Sequence, residues 1–184
     1  MNIKPHFKQI ILVTLFILNP IHGHSAVNDN AIMIVRGTVT KGTCTFNISD
    51  QTVKFSQSIL MQNVAEIGER EENKLPFSIN YVCQDYVDET PDMEMKIKAG
   101  TGTEITNNKI SSINSPTNAS FVLYDCKKNQ CSLVNFNAGV SSIYIPTGNG
   151  NKNKEFQVEL VKKGNTAVSP GTLKTILEFT LIQP

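Results

Sequence analysis

Residues 77–83 read FSINYVC, and this stretch decides the fold class. Its phenylalanine, isoleucine, tyrosine and cysteine alternate with serine, asparagine and valine, so that core-forming side chains recur at every second position. A period of two is typical of a β-strand with one face in a core, whereas an amphipathic helix repeats about every 3.6 residues. The stretch therefore predicts a half-buried strand that ends on a cysteine.

The same alternation recurs along most of the chain. It is clear at residues 93–99 and 156–160. Shorter runs occupy residues 52–55, 120–125, 132–136 and 141–145. Turns rich in glycine, asparagine and proline separate these runs, and only residues 56–74 leave room for a helical turn or two, around Leu60–Ile67. Many short strands with polar turns predict an all-β sandwich or barrel.

The N-terminus predicts a secretory signal that covers residues 1–25. Lys4 and Lys8 precede an apolar run over 10–18, and Gly23 and Ser25 supply the small side chains that a signal peptidase needs. An apolar helix of nine residues is only about 14 Å long, too short to cross a membrane core of about 30 Å. We therefore expect export and cleavage after Ser25.

The exported chain is nearly neutral and lacks histidine. The full sequence has 17 basic and 16 acidic residues, and the signal removes two lysines, which leaves 15 minus 16, a formal charge of −1. The three histidines, His6, His22 and His24, all precede the cleavage site. No basic surface favours a nucleic-acid partner. Because the usual general base is missing, we predict that the protein is not an enzyme and needs no cofactor or metal.

The exported chain contains four cysteines, Cys44, Cys83, Cys126 and Cys131. An even number in an exported chain predicts disulfides, and the absence of a CxxC pair disfavours a zinc site or redox chemistry. Three pairings exist. The four polar residues between Cys126 and Cys131 suggest a tight turn that joins these two, which leaves Cys44 with Cys83.

Two further strands are predicted near the ends of the exported chain. Residues 173–181 alternate after Gly171, and isoleucines at 176 and 182 make the second face partly apolar, so both faces should find some cover. Residues 31–39 alternate as well and follow a polar lead at 27–30. Taken alone, this N-terminal segment is best interpreted as an ordinary first strand.

With these features the chain resembles the subunits of chaperone–usher fimbriae of the type 1 and P pilus kind. The resemblance rests on an ordered set of motifs that spans essentially the whole exported chain. The motifs are RGTV at 36–39 before Cys44, TVKF at 52–55, FSINYVC at 77–83, and SPG at 169–171, in which Gly171 is fourteenth from the end.

The resemblance implies an incomplete immunoglobulin-like Greek-key sandwich that is completed by a donor strand from another chain. In this family a periplasmic chaperone lends the missing strand, and the N-terminal extension of the next subunit then replaces it, a case of β-strand addition. The implied partners are other pilus subunits, a periplasmic chaperone and an outer-membrane usher, with a host receptor at the assembled pilus as a further candidate. The implied location is a fimbrium at the cell surface, reached through the periplasm.

The resemblance also assigns roles to segments and residues. Residues 26–40 become the donor-strand extension and 41–184 the pilin domain of a structural subunit that polymerises by donor-strand exchange and supports adhesion. The residues implied to enter the neighbour's groove as a donor strand are Ala31, Met33, Val35, Gly37 and Val39. The residues of the C-terminal strand implied to face the chaperone or neighbour are Gly171, Leu173, Leu177, Phe179 and Leu181.

The sequence departs from the family pattern in four places. Gln183 stands where a penultimate aromatic residue is usual, Ser56 stands where a glycine is usual, the Cys126–Cys131 pair is additional, and residues 84–92 are unusually acidic. The acidic stretch lacks the residue order of a calcium-binding loop and is predicted to be a solvated loop.

Two alternative functions stay open at this point. The chain could be a self-contained secreted β-sandwich that binds a ligand, or a receptor-binding subunit at a pilus tip. The 159 residues left after cleavage, 184 minus 25, do not accommodate a separate lectin domain. If the subunit itself binds a receptor, the Cys126–Cys131 hairpin is the first candidate.

Overall fold

The computed structural model describes residues 32–39, 44–46, 50–84, 93–128 and 130–182. Within these residues there is no α-helix, and two short 3₁₀ turns occupy Met61–Asn63 and Glu71–Asn73. The strands are β1 (Ile32–Val39), β2 (Cys44–Phe46), β3 (Asp50–Lys54), β4 (Lys74–Cys83), β5 (Met93–Ala99), β6 (Thr103–Thr106), β7 (Lys109–Ser112), β8 (Ala119–Lys127), β9 (Gln130–Leu133), β10 (Val140–Ile145), β11 (Gly150–Lys162) and β12 (Lys174–Ile182).

The strands form two sheets with one core between them. The five-stranded sheet has the order β10-β5-β12-β1-β3, and the seven-stranded sheet has the order β2-β4-β11-β8-β7-β6, with β9 beside β8. The FSINYVC stretch lies in β4, where Phe77, Ile79, Tyr81 and Cys83 are all buried. The predicted all-β sandwich is thus confirmed, and its architecture is consistent with the immunoglobulin-like fold of fimbrial subunits.

Three phenylalanine rings connect the two sheets. The rings of Phe77 in β4 and Phe156 in β11 stack with centroids 5.4 Å apart, and Phe156 meets Phe179 of β12 edge to face at 5.5 Å. Such aromatic pairs contribute about 0.5–1.5 kcal/mol each beyond the burial of their surface. Since β12 belongs to the other sheet, this cluster fixes the C-terminal strand against the core.

Both disulfides occur in the pairing that the sequence suggested. Cys44–Cys83 joins β2 to β4 inside the core, and Cys126–Cys131 joins β8 to β9. The first pair is fully buried, whereas Cys131 is exposed. The first bridge therefore fastens the chain just after β1, and the second fastens a surface hairpin.

The β6–β7 hairpin was not predicted. Its two strands have only four residues each, and they are joined by Asn107 and Asn108, whose φ angles are 51° and 64°. Two positive φ angles in a two-residue loop are typical of a type I′ turn, which favours asparagine and glycine. The Asn-Asn pair within ITNNKI at 105–110, with an isoleucine two residues to either side, was the signal that could have revealed this hairpin.

The segment between β3 and β4 packs on the outer face of the seven-stranded sheet, where a buried carboxylate holds it. The Gly68 amide donates to both carboxylate oxygens of Glu159, at 2.9 and 3.1 Å, and the Tyr124 hydroxyl donates to Oε2 at 2.5 Å. Burial and this contact with Glu159 raise the pKa of Tyr124, so its hydroxyl stays a donor. The contact between Gly68 and Glu159 thereby fixes this segment to β11.

Candidate functional site

The N-terminal strand β1 lies between β12 and β3 of its own chain. It runs parallel to β12, with Val35 beside Leu177, and antiparallel to β3, with Met33 beside Val53. In the five-stranded sheet β3 pairs with β1 and with no other described strand. Without β1, both β3 and β12 would expose a row of unpaired backbone groups along a groove between them.

One face of β1 points into the core. Met33 and Val35 are only 1% and 4% exposed, whereas Ile34 is half-buried and Arg36 is exposed on the opposite face. The register places Gly37 beside Phe179 and Val39 beside Leu181. The side chains of residues 37–39 and the whole of Ala31 lie outside the described part of the chain. Burial of a methionine or valine side chain contributes about 1.5–3 kcal/mol, so β1 adds substantially to the core.

The C-terminal strand supplies the other side of the groove. The predicted residues Leu173, Leu177, Phe179 and Leu181 are buried with 3% exposure or less. Sequence reasoning did not single out Thr175, which is fully buried beside Met33 and has a hydroxyl without a hydrogen-bond partner among the described residues. Such a group costs about 1–3 kcal/mol in an apolar site. The groove therefore contains one buried polar group, the Thr175 hydroxyl, to which β1 supplies no hydrogen bond.

A cleft opens at the end of the groove where β1 begins. The Ile32 amide donates to the Leu173 carbonyl at 2.9 Å, and Leu173 lines the cleft together with Phe55, Met61 and Val168. The cleft volume is about 40 Å³, enough for a few water molecules or part of a small side chain. The buried side chains of β1 thus fill the groove along the strand. The groove is open at the cleft, where β1 begins.

Gly171 shapes the approach to β12 at this cleft. Its φ angle is 153°, and a Cβ atom there would lie 2.9 Å from Cγ2 of the buried Thr117. The neighbouring Ser169 amide donates to the Thr117 carbonyl at 2.8 Å, so the chain is held close on this side. Both the backbone angle and the close approach favour glycine at this position.

Replacing Gly171 by alanine is expected to destabilise the domain by about 1–3 kcal/mol, because the new Cβ atom meets Thr117 and the φ angle suits glycine. Urea unfolding of the purified protein measures this loss. Gly164→Ala is the matched control, since no heavy atom lies within 4 Å of the Cβ position there. Equal stability of the two variants would show that Gly171 is not required by its surroundings.

Several sequence-predicted features lie outside the described residues. They are the signal at 1–25, most of the acidic stretch at 84–92, and Gln183 with Pro184. Within the described ranges, no group of three or more histidine, cysteine, aspartate or glutamate side chains could hold a metal ion. The same part of the chain contains no helix long and apolar enough to cross a membrane.

Comparison with known proteins identifies the family. The family model described as "Fimbrial protein" matches residues 33–182, which include β1 except for Ile32, both disulfides and the whole of β12. A search among curated proteins gives no match. Fimbrial proteins are structural and not enzymatic, and membership implies association with other pilus subunits in a surface-exposed fimbria. The ordered motifs, the two-sheet sandwich and this match lead to one conclusion: the chain belongs to the fimbrial protein family.

Proposed function

We propose that this protein is a structural subunit of a surface fimbria that polymerises by donor-strand exchange and supports adhesion. In the proposed organisation, residues 1–25 are a signal peptide, residues 26–40 are the donor-strand extension, and residues 41–184 form the pilin domain. The observation that carries the proposal is the position of β1, which alone links β3 to β12 in the described sheet. A strand in that position can be replaced by the same strand of another copy.

The connection after β1 supports such an exchange. Residues 40–43 read TKGT and join Val39 to Cys44, which the disulfide fixes to Cys83. Because the disulfide fastens Cys44 to the sandwich, β1 is the described part of the N-terminal region that can leave without breaking it. Exchange of an identical element between copies conserves its contacts and is a low-cost route to assembly.

The backbone groups of the groove can pair with a strand that runs in either direction. A strand between β12 and β3 makes one parallel and one antiparallel ladder whichever way it runs, because these two strands are themselves oppositely oriented relative to β1. An intramolecular β1 has a high effective concentration, so assembly requires something that keeps the groove available to another chain. A periplasmic chaperone that lends a strand and an outer-membrane usher that releases it are the proposed partners for this step.

The rival interpretation is a self-contained secreted β-sandwich in which β1 is a permanent first strand. The occupancy of the chain's own groove by β1 is the observation that favours it. Both interpretations predict that β1 is needed for stability. They differ in whether β1 of one copy enters the groove of another.

The decisive experiment compares three forms of the exported chain. The first is intact, the second lacks residues 26–39 and is called the truncated chain, and the third is the truncated chain with residues 27–39 appended to its C-terminus by a flexible linker. We expect the truncated chain to aggregate when refolded alone and the third form to be a stable monomer. Refolding the truncated chain with a fourth form, the intact chain with residues 27–39 appended in the same way so that its own groove stays filled, should give a one-to-one complex.

The complex is detected by size-exclusion chromatography and by protection from protease of the N-terminal strand of the fourth form, which is left without a groove when that form is alone. A truncated chain that is already a stable monomer, and that gains nothing from the appended strand, would rule out donor-strand exchange. If the appended strand restores stability but the truncated chain forms no complex with the fourth form, the self-contained interpretation is correct.

A further inference from the structure

The open edge of the five-stranded sheet is β10, which pairs with β5 and with no other strand in the described part of the chain. Its sequence is VSSIYI, six residues without a charge or a proline. Soluble proteins usually protect sheet edges with charges, prolines, bulges or very short strands. Among the described edge strands, β3 contains Asp50 and Lys54, β6 contains Glu104, and β2 and β9 have only three and four residues. Thus β10 is the least protected of these edges.

Two side chains of β10 leave apolar surface in solvent. Val140 is 40% exposed and Tyr144 is 70% exposed, and both lie on the outer face of the sheet. Ser141 and Ile145 point the other way and are buried. The core side of the strand is therefore packed, while among the described residues only Asn137, at its first residue, pairs with its free edge.

The hydrogen bonds of Val140 fix the direction of the free backbone groups. Its amide donates to the Asn137 carbonyl at 3.0 Å and its carbonyl accepts from the Asn137 amide at 2.8 Å, so both groups point away from β5. The N–H and C=O of alternate residues in a strand point to the same side. Ser142 and Tyr144 therefore also direct their N–H and C=O groups to the open edge.

We propose that β10 of one copy pairs with β10 of a second copy, antiparallel and about a twofold axis. In the proposed register, Ser142 lies opposite Tyr144 of the second copy, and Ile143 lies on the axis. The two Ser142–Tyr144 pairs then exchange four backbone hydrogen bonds and use every free group identified above. An isologous contact of this kind closes on itself and gives a dimer.

The neighbouring registers fit less well. With Ser142 opposite itself, Tyr144 would face Val140, whose N–H and C=O are already bonded to Asn137. With Tyr144 opposite itself, Ser142 would face Pro146, which has no N–H. In all three registers the core-facing sides of the two β10 strands lie on the same side of the joined sheet, because opposite residues in an antiparallel pair project to one side of the sheet.

The charges on the adjacent strand agree with a second copy as the occupant. In β5, Lys96 lies beside Ser142 and Glu94 lies beside Tyr144. Across the proposed contact, each Ser142–Tyr144 pair is therefore flanked by Lys96 of the copy that supplies Ser142 and by Glu94 of the copy that supplies Tyr144. Opposite charges thus lie on the two sides of each pair, and no like charges face each other. This contact uses neither β1 nor β12, and it is independent of donor-strand exchange.

Disulfide trapping tests the register. All four natural cysteines are in disulfides, so an introduced cysteine is the only free thiol among the described residues. We expect an equimolar mixture of Ser142→Cys and Tyr144→Cys proteins to form cross-linked dimer about tenfold faster than either variant alone. Cross-linking that is equally fast in Ser142→Cys alone would overturn the proposed pairing.

Sedimentation velocity of the intact exported chain tests the dimer itself. Ser142→Pro removes a donor from the free edge and leaves the β5 ladder intact, and we expect it to weaken dimerisation about a hundredfold. Tyr144→Lys should act in the same direction, whereas Ile113→Lys, which changes a side chain 57% exposed elsewhere, should leave the dimer unchanged. A parent protein that stays monomeric at the highest attainable concentration, or a dimer unaffected by Ser142→Pro, would refute the proposal.

Discussion

The joint replacement Cys44→Ser and Cys83→Ser is expected to lower the free energy of unfolding by about 4 kcal/mol. The bridge spans 39 residues of sequence, and in the chain-entropy model a loop of that length restricts the unfolded state by about this amount. Its two ends are buried at 1% and 0% exposure, so the replacement also leaves two serine hydroxyls in the core. Urea unfolding, followed by the intrinsic fluorescence of tyrosine, measures the loss.

The second disulfide provides the matched control. Cys126 and Cys131 lie five positions apart in the sequence, and the same model gives about 2 kcal/mol for their joint replacement by serine. Cys131 is exposed, so no comparable burial penalty adds to this figure. If the two double variants lose equal stability, the long bridge does not act through the unfolded state, and its role would have to be assigned to local packing.

Local pattern was sufficient to predict the fold class. The alternation in FSINYVC placed Phe77, Ile79, Tyr81 and Cys83 on one face, and all four are buried. Spacing and turn composition also suggested the disulfide pairing. These inferences succeeded because strand alternation and a short cysteine loop are properties of neighbouring residues, which the sequence displays directly.

The partners of each strand could not be predicted in the same way. Alternation placed Met33 and Val35 on one face of β1, but it contains no information about which groove receives that face or in which direction the strand runs. The parallel pairing of β1 with β12 joins residues about 140 positions apart, such as Val35 and Leu177. Contacts between residues so far apart in sequence form only when the whole sandwich folds, so no local pattern predicts them.

Other details were missed because they arise only from packing. The unpartnered hydroxyl of Thr175 and the contact of Gly68 with Glu159 each join segments that are distant in sequence. The short β6–β7 hairpin was missed for a different reason, since its four-residue strands fall below the length at which alternation is informative. The donor role of β1 remains a prediction, because a single chain presents one groove and one strand.

Introducing a charge on the core face of β1 should abolish its ability to fill a groove. Val35 is 4% exposed and lies beside the fully buried Leu177, so Val35→Asp would bury a carboxylate in an apolar site. The expected cost is about 3–5 kcal/mol, whether β1 occupies its own groove or that of another copy. The intact Val35→Asp chain should therefore be unstable alone. The same change in the N-terminal strand of the fourth form, whose own groove is filled by the appended strand, should abolish complex formation with the truncated chain that lacks residues 26–39.

Ile34→Asp is the control, because it makes the same kind of change one residue away on the opposite face of β1. Ile34 is half-buried and pairs with Ile176 and Thr52, so the new carboxylate can reach water and meets no negative neighbour in the register. Placed in the N-terminal strand of the fourth form, it should retain most of the complex formation, measured by size-exclusion chromatography after joint refolding with the truncated chain. Equal loss in both variants would mean that backbone pairing, and not burial of the Met33–Val35 face, drives insertion. Unimpaired complex formation by Val35→Asp would mean that β1 is not the donor, since no strand can bury that face and tolerate an unpaired charge on it.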